Sequence, residues 1–282
     1  MEQFRRTIYG AALQTAQMLG IPLVIPANST LNEKLSIQAN ATLGLNERPI
    51  VKYMTIGISG HRARVGSDNI PLIESIQHEP TDAASYRMLP FAVRLPDNDI
   101  PSQYATRYAL RRLETINSVQ YIVYYMRRLD YTNVNLQMQK KTVNNNTTTS
   151  VEFVPNSDNL NPIPPALSNS GVNTITAQYV NVSAPVSVML DTFDATEILN
   201  AAQIIYGSED YAFISEIALC SGVDRSVTVT DPGNVSKTYS EVIAAQVHTH
   251  INALQPLTSQ RDGFTAVLDI GAVEPMFIFT TP

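Results

Sequence analysis

Residues 186–220 read VSVMLDTFDATEILNAAQIIYGSEDYAFISEIALC, and this stretch decides the fold class. Val186–Leu190 alternates in the manner of a strand, and residues 212–220 form an apolar run that suits a buried strand. Between them Asp194 reads as a helix N-cap, with Glu197 three residues on as in a capping box and Gly207 as the stop. Ile198, Leu199, Ala202, Ile205 and Tyr206 fall on one face of that helix. A strand, a helix and a strand in succession predict an α+β chain.

Working outward toward the C-terminus, residues 174–182 form a strand that meets 186–190 at Pro185. Ser226–Thr230 is a polar strand, and Asp231-Pro-Gly-Asn234 is a turn leading into a second helix over 240–254. Residues 265–270 and 276–279 close the chain as a hairpin or as sheet edges. Toward the N-terminus, Phe4, Ile8, Ala11, Ala12, Thr15 and Leu19 recur at helical spacing, and Gly20 with Pro22 ends that helix. Residues 21–58 alternate apolar runs with Asn-rich turns, and 57–99 read as a long Gly- and Pro-containing loop of the kind that meets a partner. Ser102–Arg128 has the strongest helical spacing, although QYIVYYM at its end suits a strand equally well. Asn144–Ser150 and the prolines at 155, 162, 164 and 165 make a loop or hairpin excursion. The expected fold is therefore α+β: an N-terminal helical and extended region, then a mixed, sandwich-like β-sheet part carrying two helices.

Charge divides the chain. Of its 19 Lys+Arg and 25 Asp+Glu, residues 1–141 hold 16 and 11 while 142–282 hold 3 and 14, balances of +5 and −11. The expectation is a basic subdomain over 1–141 and an acidic α+β subdomain over 142–282, or a single domain with two differently charged faces. No window approaches 18 consecutive apolar residues, which argues against a membrane-spanning helix. The first 20 residues lack the apolar core of a secretory signal. The one cysteine, Cys220, excludes an intrachain disulfide and any multi-cysteine metal site.

Signals for chemistry are weak, and neither catalytic activity, a cofactor nor a metal is expected. On a helix His248 and His250 point to opposite faces, so they do not make a zinc pair. Gly57-Ile-Ser-Gly60-His-Arg-Ala-Arg-Val-Gly66 lacks the Gly-Lys-Ser/Thr of a phosphate loop and reads as a flexible turn carrying His61, Arg62 and Arg64. Cys220 has no histidine signature beside it. Glu209, Asp210 and Glu216 offer an acid–base pair in principle, and these carboxylates or His248 are the basis of a hydrolase alternative. Tyr104, Arg107, Tyr108, Arg111 and Arg112 interleave basic and aromatic side chains. Together with Arg62 and Arg64 they are the candidate interface, since Arg and Tyr are enriched where proteins meet. A nucleic-acid-binding module using Arg107, Arg111 and Arg112 is the other alternative.

Low charge, 21 Asn and 25 Thr, and no strong chemical motif give the chain a distinctive style. Leu89-Pro-Phe-Ala-Val-Arg94 running on to Asn98-Asp-Ile100 and Arg107-Tyr108, with Glu216-Ile-Ala-Leu-Cys-Ser-Gly-Val-Asp224, resembles virion structural proteins of tailed bacteriophages, in particular neck and head–tail connector proteins. The resemblance implies a ring-forming structural protein of the neck or collar, with a tail or baseplate component as the alternative. It implies self-association, contacts with portal, tail or collar proteins, a place near packaged DNA, no membrane, and assembly in the host cytoplasm into the virion. A ring needs one face of a subunit to meet a different face of the next, and halves of opposite charge are suited to that.

Overall fold

The computed structural model describes residues 3–23, 25, 30–37, 43–44, 46–145, 147–161, 172–231, 235–259 and 261–280. The chain divides into two compact units, one of residues 1–129 and 189–264 and one of 130–188 and 265–282. This division runs across a boundary at 141 rather than along it: the first 129 residues share a core with the strands and helix of the second half. The architecture is predominantly β, and strands occupy much of the region expected to be helical or irregular.

The larger unit contains β1 (Gln3–Arg6), α1 (Ile8–Leu19), α2 (Thr30–Leu35), β2 (Ile50–Gly57), β3 (His61–Val65), β4 (Pro71–Ser75), β5 (Met88–Leu89), β6 (Ala92–Arg94), α3 (Ser102–Ala105), β7 (Tyr108–Ile116) and β8 (Val119–Arg128). The smaller unit follows with β9 (Gln137–Asn144), β10 (Thr147–Glu152), α4 (Ser157–Leu160) and most of β11 (Val172–Leu190). The chain returns to the larger unit through α5 (Thr192–Tyr206), β12 (Phe213–Asp231) and β13 (Val235–Pro256), and ends in the smaller one with β14 (Phe264–Thr280).

An eight-stranded sheet organises the larger unit in the order β1-β13-β12-β2-β8-β6, with β5 paired to β2 and β7 to β8. All its described pairings are antiparallel. One core cluster gathers Leu31 and Leu35 of α2 with Tyr53, Leu110, Met126, Ala218, Cys220 and Val247. A second sets Ala201, Ile204 and Ile205 of α5 on Val93 and Val123. β3 and β4 form a separate two-stranded hairpin.

Several expectations are corrected. Ser102–Arg128 is one short turn of helix followed by the β7–β8 hairpin, not a long helix. Its Val, Ile and Tyr content favours pleated backbone, and Asn117 and Ser118 form a two-residue turn with φ of +49° and +65°, the conformation that matches strand twist. Ser118 holds this left-handed conformation with a Cβ, at a cost of about 1–2 kcal/mol. Ser118→Gly is therefore expected to raise stability by up to about 1 kcal/mol in urea unfolding, after allowing for the extra backbone entropy of glycine. An unchanged or lowered midpoint would show that the turn is not under strain.

Residues 240–254 are the middle of β13, a 22-residue strand, not a helix. Val242–Val247 are all buried, and Ala244 has φ +54° where the pairing with β12 slips. A strand buried along its length loses the alternation that would identify it. Helix α1 starts at Ile8; Gln3–Arg6 are β1, paired to Thr249–Asn252, and Thr7 between them caps the helix by accepting the Gly10 N–H. The region 57–99 is less a loop than a hairpin and two short strands. Helix α5 is present as expected, but its cap is Asp191, in a reciprocal capping box with Asp194, rather than Asp194 with Glu197. Asn144 and Thr147–Ser150 belong to the paired strands β9 and β10, whereas Asn146, Pro162, Pro164 and Pro165 and the turn residues 232–234 lie outside the described residues.

The smaller unit is a four-stranded sheet in the order β10-β9-β11-β14. Gly271 of β14 lies against β11, where an added Cβ would fall 2.0 Å from the Val182 carbonyl oxygen, so only glycine permits this approach.

Candidate functional site

The basic and aromatic side chains singled out in the sequence fall into four places. Arg62 and Arg64 lie on the β3–β4 hairpin, exposed, and share Glu74 across the strand pair. Such exposed pairs contribute little to stability. The ring of Tyr104 stacks on Phe193 with centroids 4.0 Å apart, and the Arg107 guanidinium lies 4.9 Å above the Tyr104 ring. Arg107, just past α3, also reaches Asp191 at 2.6 Å, which ties the start of α5 to the segment leading into β7.

Tyr108 and Arg111 line a cleft of about 560 Å³ in the larger unit, together with Asp99, Tyr124, Lys237 and Tyr239. Asp99 is its hub. One carboxylate oxygen accepts the Tyr124 hydroxyl at 2.7 Å and the Ile100 N–H at 2.8 Å; the other accepts Arg111 at 3.2 Å and Lys237 at 3.0 Å. Burial works against the charged carboxyl, yet the hydrogen bonds from Tyr124, Lys237 and Ile100 hold it below the usual carboxylate range. Burial and the neighbouring Asp99 push the Tyr124 phenol up. Arg112 instead lines a second cleft of about 370 Å³ with Arg225 and Glu241. There it pairs with Glu241 and donates to the Leu35 carbonyl at 2.7 Å.

The arginines expected at an interface are thus largely engaged within the chain. Lys52 and Arg128 meet Asp224, Arg94 meets Glu197, Arg107 meets Asp191, Arg112 meets Glu241 and Arg127 meets Asp194. In each case a cation from the basic half meets a carboxylate from the acidic half inside one unit. The +5 and −11 halves therefore do not stand as two complementary surfaces, which is what their linear separation suggests.

A second constellation escapes sequence reading. His78 is fully buried between two carboxylates, with Nδ1 2.8 Å from Asp82 and Nε2 2.9 Å from Glu216, itself fully buried. Glu216 also accepts the Ser59 N–H at 2.9 Å and the Tyr86 N–H at 2.8 Å. The His78 ring is stacked between Tyr86, at 4.2 Å, and His250, at 3.7 Å. Burial alone would lower the affinity of His78 for a proton, but its bonds to Glu216 and Asp82 outweigh that and raise it. Burial and the adjacent His78 push His250 down to about 4. Two of the three glycines of the expected flexible turn, Gly57 and Gly60, belong here. A Cβ on Gly60 would sit 2.4 Å from Glu216 Cγ, and one on Gly57 2.8 Å from its carboxylate.

With His78 and Glu216 sealed from solvent, the network's geometry is that of a clasp between β12, β13 and the strap 76–87. Glu216 is also apart from Glu209, which is paired at the surface with Arg261 at 2.6 Å. The Cys220 thiol, buried in β12, is pushed up to about 12 by burial, the opposite of an activated thiolate. Among the described residues no group of three or more His, Cys, Asp or Glu is placed to hold a metal. None of their helices is long and apolar enough to cross a membrane. The i, i+4 spacing of His78 and Asp82 was the one available signal, but their partner Glu216 lies 138 residues further along.

No curated protein and no solved structure matches the chain. The sequence model of one family spans it almost end to end, over residues 1–281. The chain accordingly belongs to a family of unknown function, DUF7208.

Proposed function

We propose that the chain is a self-assembling structural protein of a tailed-phage particle, a subunit of a ring in the neck between head and tail. The observation that carries this reading is the smaller unit. Its sheet has β10 and β14 as its outer strands, and every residue of β10 is exposed. Val151, Val154, Val267 and Val273 are between 55% and 66% exposed. Residues 130–188 and 265–282 carry only seven charged side chains, Asp130, Lys140, Lys141, Glu152, Asp158, Asp269 and Glu274. Native sheets protect their edges with charge, proline or cover, and aliphatic side chains on a weakly charged surface favour contact with another protein. The phage assignment itself rests on the resemblance of residues 89–108 and 216–224 to neck and connector proteins.

The test is the mass of the purified protein by light scattering at two concentrations and two salt levels, followed by imaging of any large species. Closed rings are the expected result, either alone or on addition of portal or tail rings. A 31 kDa monomer under all of these conditions would overturn the proposal.

A further inference from the structure

The two outer strands of the small sheet differ in charge. The β9–β10 hairpin holds both cations of the unit, Lys140 and Lys141, against one acid, Glu152. β14 holds Asp269 and Glu274, both exposed, and no base. Cross-strand register places Lys140 beside Val151 and Lys141 beside Ser150, so both lysines sit one strand in from the β10 edge. Pro275, within β14, lacks an N–H, and proline is found on edge strands.

We propose that the β14 edge of one copy docks on the β9–β10 edge of the next, joining the small sheets head to tail. This rests on the assembly reading above and names the surface that carries it. Charge selects the arrangement. Pairing two β14 edges would set Asp269 and Glu274 against themselves, while pairing two β10 edges would leave Lys140 and Lys141 of both copies facing each other across the two β10 strands, with Glu152 against its own copy at the seam. Like charges set against each other across an interface are disfavoured. Joining unlike edges brings the lysines to within two strand spacings, about 10 Å, of the carboxylates, so that the net positive β9–β10 hairpin, Glu152 included, meets the net negative β14, and it buries Val151 of one copy with Val267 and Val273 of the other. A contact between unlike faces leaves each copy with one free edge of each kind, so the chain of contacts continues until it closes as a ring or extends as a filament. The stretch of β14 before Pro275 has the ladder groups for such a junction; beyond it the missing N–H ends the match.

The test uses two full-length variants, Lys140→Glu/Lys141→Glu and Asp269→Lys/Glu274→Lys, with sedimentation velocity as the readout. The first has two acidic edges and the second two basic ones, so each alone is expected to self-associate about tenfold or more weakly than the natural chain. An equimolar mixture is expected to regain assembly, because each variant then offers the edge the other lacks. Restoration on mixing also shows that both variants are folded. Wild-type assembly that persists in each variant, or a mixture that remains dissociated, would overturn this surface while leaving self-assembly standing. A natural chain that never assembles, even with portal or tail rings, would overturn the assembly reading itself.

Discussion

Glu216→Ala is expected to cost about 3–5 kcal/mol of stability in the larger unit, the range for removing one partner from a buried ion pair. The carboxylate is fully buried and accepts from Ser59, Tyr86 and His78. Its loss leaves two backbone N–H groups and a ring nitrogen without an acceptor, and nothing fills the space that Gly57 and Gly60 keep open for it. Glu216→Gln keeps the volume and one acceptor, and is expected to cost less while changing the pH profile. His78, whose proton affinity is raised by folding, contributes stability that is complete below about pH 6.5 and is lost as the pH rises through its raised folded pKa. His250, depressed to about 4, contributes in the opposite sense: its stability is present above about pH 6.5 and is lost as pH falls toward 4. Urea unfolding from pH 4 to 9 should show both limbs in the natural protein, and the alkaline limb should shrink in Glu216→Gln. An identical profile in the two proteins would mean that His78 is not charged in the folded state.

Asp194→Ala is expected to have a comparable effect, again about 3–5 kcal/mol, for a different reason. Asp194 lies in the first turn of α5 with no exposure, and three groups from elsewhere converge on it: Arg127 at 2.9 Å, the Tyr108 hydroxyl at 2.8 Å and Arg107 at 3.6 Å. It also accepts the Asp191 N–H at 3.3 Å as the returning half of the capping box. Removing it strands the Arg127 guanidinium, only 11% exposed, inside the protein. Asp191→Ala removes the cap and a half-buried partner of Arg107, and should cost only about 1 kcal/mol. Thermal unfolding of both variants separates the two contributions. A paired replacement, Arg127→Met/Asp194→Leu, should recover much of the loss, as apolar substitutes for buried ion pairs often do. Equal costs for Asp191→Ala and Asp194→Ala would show that capping, and not the buried cluster, dominates.

The parts of the fold that could be read from the sequence are those whose causes are local. The strand–helix–strand around α5 is legible because Gly207 ends the helix in the left-handed conformation, φ +80°, and because Ile198, Leu199 and Ala202 share a buried face. Even so, the cap lies three residues before Asp194, since Asp191 and Asp194 satisfy the same pattern as Asp194 and Glu197. Glu197 is instead withdrawn to meet Arg94. The β7–β8 hairpin and β13 depart from the sequence pattern where neighbours decide the backbone. Tyr108, Ala109, Leu110 and Arg111 are buried consecutively, as are Val242–Val247, and a run covered on both faces shows neither a period of two nor one of 3.6. The site was harder still. Arg107, Arg111 and Arg112 looked like an exposed basic face because their carboxylates lie 84, 12 and 129 residues away. The His78 clasp depends on a residue even more remote from it than those.

The same long separations set the order in which the chain can fold as it is made. β2 pairs with β12, and β1 with β13, the partner that arrives last among the strands of the larger sheet. At a synthesis rate of about 5–20 residues per second, β2 waits on the order of ten seconds for β12 to emerge. During that interval the first 129 residues hold an unfinished sheet with an open strand edge, a state prone to aggregation. Their arginines, not yet neutralised by Asp191, Asp194, Asp224 and Glu241, keep that nascent segment solvated and mutually repelling. The cationic bias of the N-terminal half is thus expected to oppose association of the growing chain first, before the same side chains form internal ion pairs with the acidic strands.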